Sequence, residues 1–179
     1  MTMTRNEQID AAAMTLAATY QPSRTWQGYS GETVTGDEVA TFLDATRALL
    51  ERKKQWTGGR TSGADDEGTP FDDITEDTNT RGMVRRFLAW LREEILDDQR
   101  IDSVWWAMAT VADSPAGDGD TRVVADRCLD LIIRARTGAC SASVRAWEGR
   151  RGRTFADVVE LLETAALFAR LHGPTGGAA

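Results

Sequence analysis

The chain has few of the residues that metal sites, disulfides and nucleophile–base pairs require. It has one histidine, His172, and two cysteines, Cys128 and Cys140, without a CxxC spacing. Zinc sites need clusters of Cys and His, and a Ser or Cys nucleophile needs a base within reach. The sequence therefore predicts no metal, no cofactor, no disulfide framework and no catalytic residue. We expect Cys128 to be buried, Cys140 to be more exposed and His172 to lie favourably at a helix C-terminus.

Long apolar runs are also missing. No stretch approaches the roughly 18 apolar residues that a membrane-spanning helix needs. Residues 1–10 lack the compact apolar core and cleavage site of a secretory signal. These absences, with the unpaired cysteines, predict a cytoplasmic protein that does not enter a membrane. The 179 residues, 41% of them hydrophobic, suffice for one apolar core.

Negative charge is concentrated in one segment. Residues 57–80 carry seven acids against Arg60 alone and so account for most of the net charge of −7. The segment has no helical period, which predicts a long, flexible, acidic insertion. Its paired carboxylates could serve a hydrolase or a divalent cation, but they lack the spacing of an EF-hand. We interpret them mainly as a solvated, self-repelling loop.

Apolar residues recur at helical spacing through most of the remaining chain, and no strand pattern is present. The pattern predicts an all-α fold, a small helical bundle of five to six helices with a long acidic loop. Residues 1–34 would form an N-terminal helix and an aromatic loop that pack on a main domain at 35–172. Residues 173–179 would form a disordered tail. Trp105 is expected to face the core. Helices are predicted at about 5–20, 35–55, 80–98, 103–113, 120–137 and 154–172, with a short helical piece near 141–147.

Two short motifs resemble those of an uncharacterised domain family found in actinobacteria and their phages. The first, Trp56 to Gly59, is similar to that family's Trp-Thr-x-Gly at a helix end. The second, Trp147 followed by Gly152, Arg153 and Thr154, resembles its closing Trp-x4-Gly-Arg-Thr helix start. The resemblance covers roughly 35–172. It implies a helical domain but no known activity.

A third, weaker similarity lies at Trp105 to Ala109, where the family usually has Trp-Cys-x-x-Gly. Here Trp106 replaces the cysteine and Ala109 replaces the glycine. Any thiol-dependent role of relatives is therefore in doubt for this chain.

Tryptophan and arginine supply the candidate binding residues. Four arginines surround Trp147 and lead into the helix that Thr154 opens, where free amides could attract an anion. They could instead pair locally with Glu148 or with the acidic insertion. Indoles are enriched at interface hot spots, which adds Trp106 and Trp26. The candidate set is Trp106, Trp26, Trp147, Arg145, Arg150, Arg151, Arg153 and Thr154.

Three hypotheses follow. The first is a non-enzymatic binding or regulatory protein that contacts a protein partner, in an actinobacterial phage setting. The second is an anion or nucleic-acid binder that uses the arginine-rich turn before Thr154, with Trp147 stacking on a base. The third is an enzyme that works through carboxylates. The sequence leaves self-association open.

Overall fold

The computed structural model describes residues 3–20, 22–53, 56 and 103–176. The predicted acidic insertion, the helix expected at 80–98 and the end of the tail lie outside these residues. Within the described ranges the fold is all-α, as predicted, and the one extended pairing is an isolated bridge between Gln27 and Thr33. No described helix is long and apolar enough to cross a membrane. The described helices are α1 (Arg5–Thr19), α2 (Pro22–Thr25), α3 (Gly36–Lys53), α4 (Val104–Ala112), α5 (Gly119–Thr137), α6 (Val144–Glu148) and α7 (Phe155–His172).

Hydroxyl caps start the helices where the sequence predicts them. The Thr4 hydroxyl accepts the Glu7 N–H, and the Glu7 carboxylate accepts the Thr4 N–H in return. Thr35 and Glu38 make the same reciprocal pair before α3. Each exchange satisfies two amides that the first helical turn leaves without partners. These boundaries are therefore set by local chemistry.

The cap of α5 differs from the prediction. The sequence predicts a start near residue 120, but the cap lies two residues earlier, where the Asp118 carboxylate accepts the Thr121 N–H at 2.7 Å. Asp120 instead lies in the first turn and accepts the Tyr29 N–H at 2.7 Å. A cap bonds the amide two or three residues ahead, which Asp118 can do from outside the helix. Asp120 therefore fixes the loop after α2.

The core centres on α3 and α7, which pack extensively on each other, with α5 beside them. Full burial of a large apolar side chain stabilises a fold by about 1.5–3 kcal/mol. Cys128 joins this core as predicted, and its burial raises the pKa of its thiol to about 12. Cys140 is exposed. The largest fully buried apolar side chains are Phe42, Leu43, Leu50, Met108, Leu129, Ile132, Ile133, Leu161, Leu162 and Phe168.

Two glycines let α3 and α7 meet backbone to backbone. The Gly36 N–H donates to the Pro174 carbonyl at 2.9 Å, beyond the end of α7. A Cβ on Gly36 would lie 2.1 Å from the Ala169 carbonyl oxygen and 2.9 Å from the Gly173 Cα. Only a residue without a side chain fits there. The helix junction thus depends on glycine.

The segment before α3 packs on the same core. α1 lies on α5 and buries Ile9, Ala13 and Ala17. The aromatic loop predicted between the first helix and residue 35 contains a single helical turn, α2. Pro22 stands at its first position, where a missing N–H and a fixed φ favour helix initiation.

Candidate interaction surface

Two adjacent tryptophans of α4 lie at the surface. Trp105 is 39% exposed and Trp106 53% exposed. Their rings meet edge to face, 4.8 Å apart between centroids at 82°, and the Arg122 guanidinium lies 5.0 Å above the Trp105 ring. The contacts order both indoles without covering them.

The prediction that Trp105 faces the core is wrong. α4 turns Val104, Ala107, Met108 and Val111 inward, a spacing of three and four residues that fills one face of a helix. Successive residues point about 100° apart. Trp105 and Trp106 therefore both lie off the buried face.

A buried carboxylate links α4 to α6. Glu148 is almost fully buried, and its Oε2 accepts the Val104 N–H at 2.9 Å. The sequence suggests that Glu148 could pair locally with nearby arginines, and the structure shows its carboxylate accepting a backbone N–H of α4. The carboxylate places the start of α4, and with it the tryptophan pair, beside α6.

The arginines near Trp147, on α6 and in the turn that follows it, fall into two groups. Trp147 is only 6% exposed, and the Arg153 guanidinium covers its ring at 4.2 Å. This cation–π contact leaves no open indole face on which a base could stack. Arg145, Arg150 and Arg151 are exposed.

The start of α7 is satisfied from within the chain. The Thr154 N–H donates to Asp157 Oδ2 at 2.8 Å, and the Asp157 N–H donates to the Thr154 hydroxyl at 3.2 Å. The bonds from the Thr154 backbone and hydroxyl hold the pKa of Asp157 below its usual value. A carboxylate therefore already stands where an external anion would bind.

Trp26 lies apart from these residues. Its ring is half-buried and stacks on Phe168 of α7, with 6.1 Å between centroids and 17° between planes. The predicted candidates thus separate into an exposed group (Trp106, Arg145, Arg150, Arg151), a covered pair (Trp147, Arg153), a helix cap (Thr154) and a core-packed indole (Trp26).

Sequence reasoning missed a polar strip along α5. Arg122, Asp126, Asp130 and Arg134 recur every fourth residue, which places them along one side of a helix. This spacing is visible in the sequence and could have indicated a polar strip. The burial of its side chains, however, depends on the neighbouring helices. Asp130 accepts the Val144 N–H at 2.9 Å and pairs with Arg134 at 3.5 Å. Among the described residues, no group of three or more His, Cys, Asp or Glu side chains could bind a metal.

Asp130 should make folding stability depend on pH. Burial raises the pKa of Asp130 from 3.8 to about 6, and the nearby Asp126 adds to this while the Val144 N–H and Arg134 oppose it. The folded protein therefore binds more protons than the unfolded chain across this range. The contribution of Asp130 is greatest in acid and is lost as the pH rises through about 6.

The variant Asp130→Asn tests this dependence, because its amide oxygen can still accept the Val144 N–H but the side chain stays neutral. Unfolding by urea should show wild type losing stability relative to the variant between about pH 4 and about pH 8. A difference that does not change with pH would contradict the assignment.

Most of the chain is similar to one known protein family. Residues 34–167 match the model of a family of unknown function, DUF6197. No match was found among curated proteins or among solved structures. The matched range includes α3 to α6, most of α7, the tryptophan pair and the arginine-rich turn. The chain therefore belongs to the family of unknown function DUF6197.

Proposed function

We propose that this protein acts by binding another protein through the exposed side chains of Trp105, Trp106, Arg145, Arg150 and Arg151, called here the Trp–Arg surface. The observation that carries the proposal is the adjacent pair of exposed, mutually packed indoles. Contiguous exposed apolar surface is typical of sites that a partner covers. Tryptophan and arginine are also the residues most enriched at interface hot spots.

The arginines indicate the chemistry of the partner. Arg145, Arg150 and Arg151 present three positive charges on a protein whose net charge is −7. The complementary occupant is an acidic segment with an apolar side chain that packs on the indoles. Ion pairs at an exposed rim contribute only about 0–1 kcal/mol each. Affinity would come mainly from the indoles, and orientation from the arginines.

Preorganisation supports this role. The Trp105 ring is fixed on one side by Arg122 and on another by Trp106, so both indoles have little rotamer freedom left to lose. Binding is weaker when side chains must be ordered at the moment of association. The tryptophan pair avoids much of that cost.

Affinity capture with matched variants tests the proposal. Trp106→Ala should weaken the retained partner about 30-fold, the effect of a hot-spot truncation of about 2 kcal/mol, without changing the melting temperature. Arg150→Glu with Arg151→Glu should abolish binding of an acidic segment. Leu171→Ala removes an apolar side chain that is 61% exposed elsewhere and should change nothing. If all variants bind the partner with equal affinity, the proposed binding surface is wrong.

The alternative of nucleic-acid binding at the turn before Thr154 has less support. Trp147 is covered by Arg153, and Asp157 occupies the helix start. Retention on heparin at low salt, lost steeply as salt rises, would favour this alternative. Carboxylate-based catalysis and the actinobacterial phage setting stay predictions.

A further inference from the structure

A cleft separate from the Trp–Arg surface lies between the end of α1, α2 and α5. Its volume is about 250 Å³, which is slightly below the usual range for small-molecule sites and fits a compact ligand. Three of its side chains are guanidinium groups and one is a carboxylate. The lining residues are Tyr20, Arg24, Thr25, Arg127, Asp130, Leu131 and Arg134.

Arg127 is fixed in a way that leaves one edge of its guanidinium available. Its Nη1 donates to the Arg24 carbonyl at 2.6 Å and to the Gln27 carbonyl, which uses both Nη1 hydrogens. The Nε–Nη2 edge makes no hydrogen bond to the described residues. Two parallel N–H groups on one edge match the two oxygens of a carboxylate or a phosphate.

Arg134 forms a fixed wall of the cleft. Its Nε donates to the Ala142 carbonyl at 3.1 Å, and its guanidinium lies 5.4 Å over the Tyr20 ring. Asp130 lies 3.5 Å from its Nη2. Three lining arginines outnumber the two carboxylates near them, Asp130 in the lining and Asp126, which interacts with Arg127. The cleft therefore keeps a net positive charge, and a positive cleft attracts anions even on an acidic protein.

We propose that this cleft binds a small organic anion whose carboxylate or phosphate group pairs with the free edge of Arg127. Arg24 supplies a second positive charge at the surface. Tyr20 and Leu131 contact the apolar part of the ligand. This site does not depend on the Trp–Arg surface, and each proposal can fail without the other.

Isothermal titration calorimetry and thermal shift with phenyl phosphate, benzoate and inorganic phosphate test the site. Phenyl phosphate or benzoate should bind and raise the melting temperature with concentration, because a ligand of the folded state stabilises it. Stronger binding of these two than of inorganic phosphate would show that the apolar wall contributes. Comparison of phenyl phosphate with benzoate then identifies the preferred anionic group.

Three variants locate the binding. Arg127→Lys keeps the charge but removes the paired N–H edge, and Arg24→Gln removes an exposed charge without touching the carbonyls that fix Arg127. Each should weaken the bound probe about tenfold or more. Arg52→Gln removes the same charge from an exposed position of α3 and should leave affinity unchanged. No binding of any probe at millimolar concentration, or an equal loss in Arg52→Gln, would overturn the proposal.

Discussion

Gly36→Ala should destabilise the fold by about 3 kcal/mol or more, the upper range for overpacking, because the added methyl group meets backbone. Its Cβ would lie 2.1 Å from the Ala169 carbonyl oxygen, where no real carbon can stand. A flexible side chain could move aside, but a carbonyl inside α7 is fixed by helix hydrogen bonds. α3 and α7 would have to separate, which would also weaken the bond from the Gly36 N–H to the Pro174 carbonyl.

Gly119→Ala is the matched control. Gly119 is the first residue of α5, and a Cβ there would meet nothing within 4 Å. Alanine is favoured over glycine in helices by up to about 1 kcal/mol, so this variant should be neutral or slightly more stable. Urea unfolding of both variants measures the contrast. Equal stability of the two would contradict the close approach of α3 and α7.

Phe168→Ala should cost about 3–5 kcal/mol, the usual range for removing a fully buried aromatic ring. Phe168 is completely buried in α7, with Trp26 stacked on one side and the His172 ring 5.1 Å away. The loop after α2 and the end of α7 both pack on this ring. The resulting cavity would therefore weaken both contacts together.

The neighbouring Leu167 supplies the comparison. Its side chain is 42% exposed on the same helix, so Leu167→Ala should change the free energy of unfolding by less than about 1 kcal/mol. Denaturant unfolding followed by circular dichroism measures both variants. A smaller loss for Phe168→Ala than for Leu167→Ala would show that the helix face is assigned wrongly.

Helix boundaries were largely predictable because they depend on near neighbours in the chain. Thr4 with Glu7, and Thr154 with Asp157, satisfy amides three residues away, and the sequence shows this spacing directly. Gly138 ends α5 with a φ of 69°, the left-handed conformation expected at a glycine after a helix. The apolar stripe of α3 likewise follows from its periodicity.

Long-range partners were not predictable. Glu148 bonds the Val104 amide and Asp120 bonds the loop at Tyr29, across 44 and 91 residues respectively. Charge and spacing near each acid gave no sign of these partners, because only the packing of the helices brings them together. The raised pKa of Asp130 has the same origin, since burial is its first cause.

The candidate site was predicted in part. Trp106 was expected to be available, and it is exposed, whereas Trp147 and Trp26 are covered by partners from other parts of the chain. The prediction for Trp105 was wrong because the nine-residue α4 has a narrow apolar face, and four smaller residues fill that face. The arginine cleft at Arg127 was missed, since its lining residues come from α1, α2 and α5.

Hydroxyl-radical footprinting with residue-level mass spectrometry tests the central claim most directly, namely that this fold presents Trp105 and Trp106 while it covers Trp147. Oxidation should be fastest at Trp106, slower at Trp105 and slowest at Trp147, in the order of their exposures of 53%, 39% and 6%. Protection of Trp106 together with rapid oxidation of Trp147 would contradict the account.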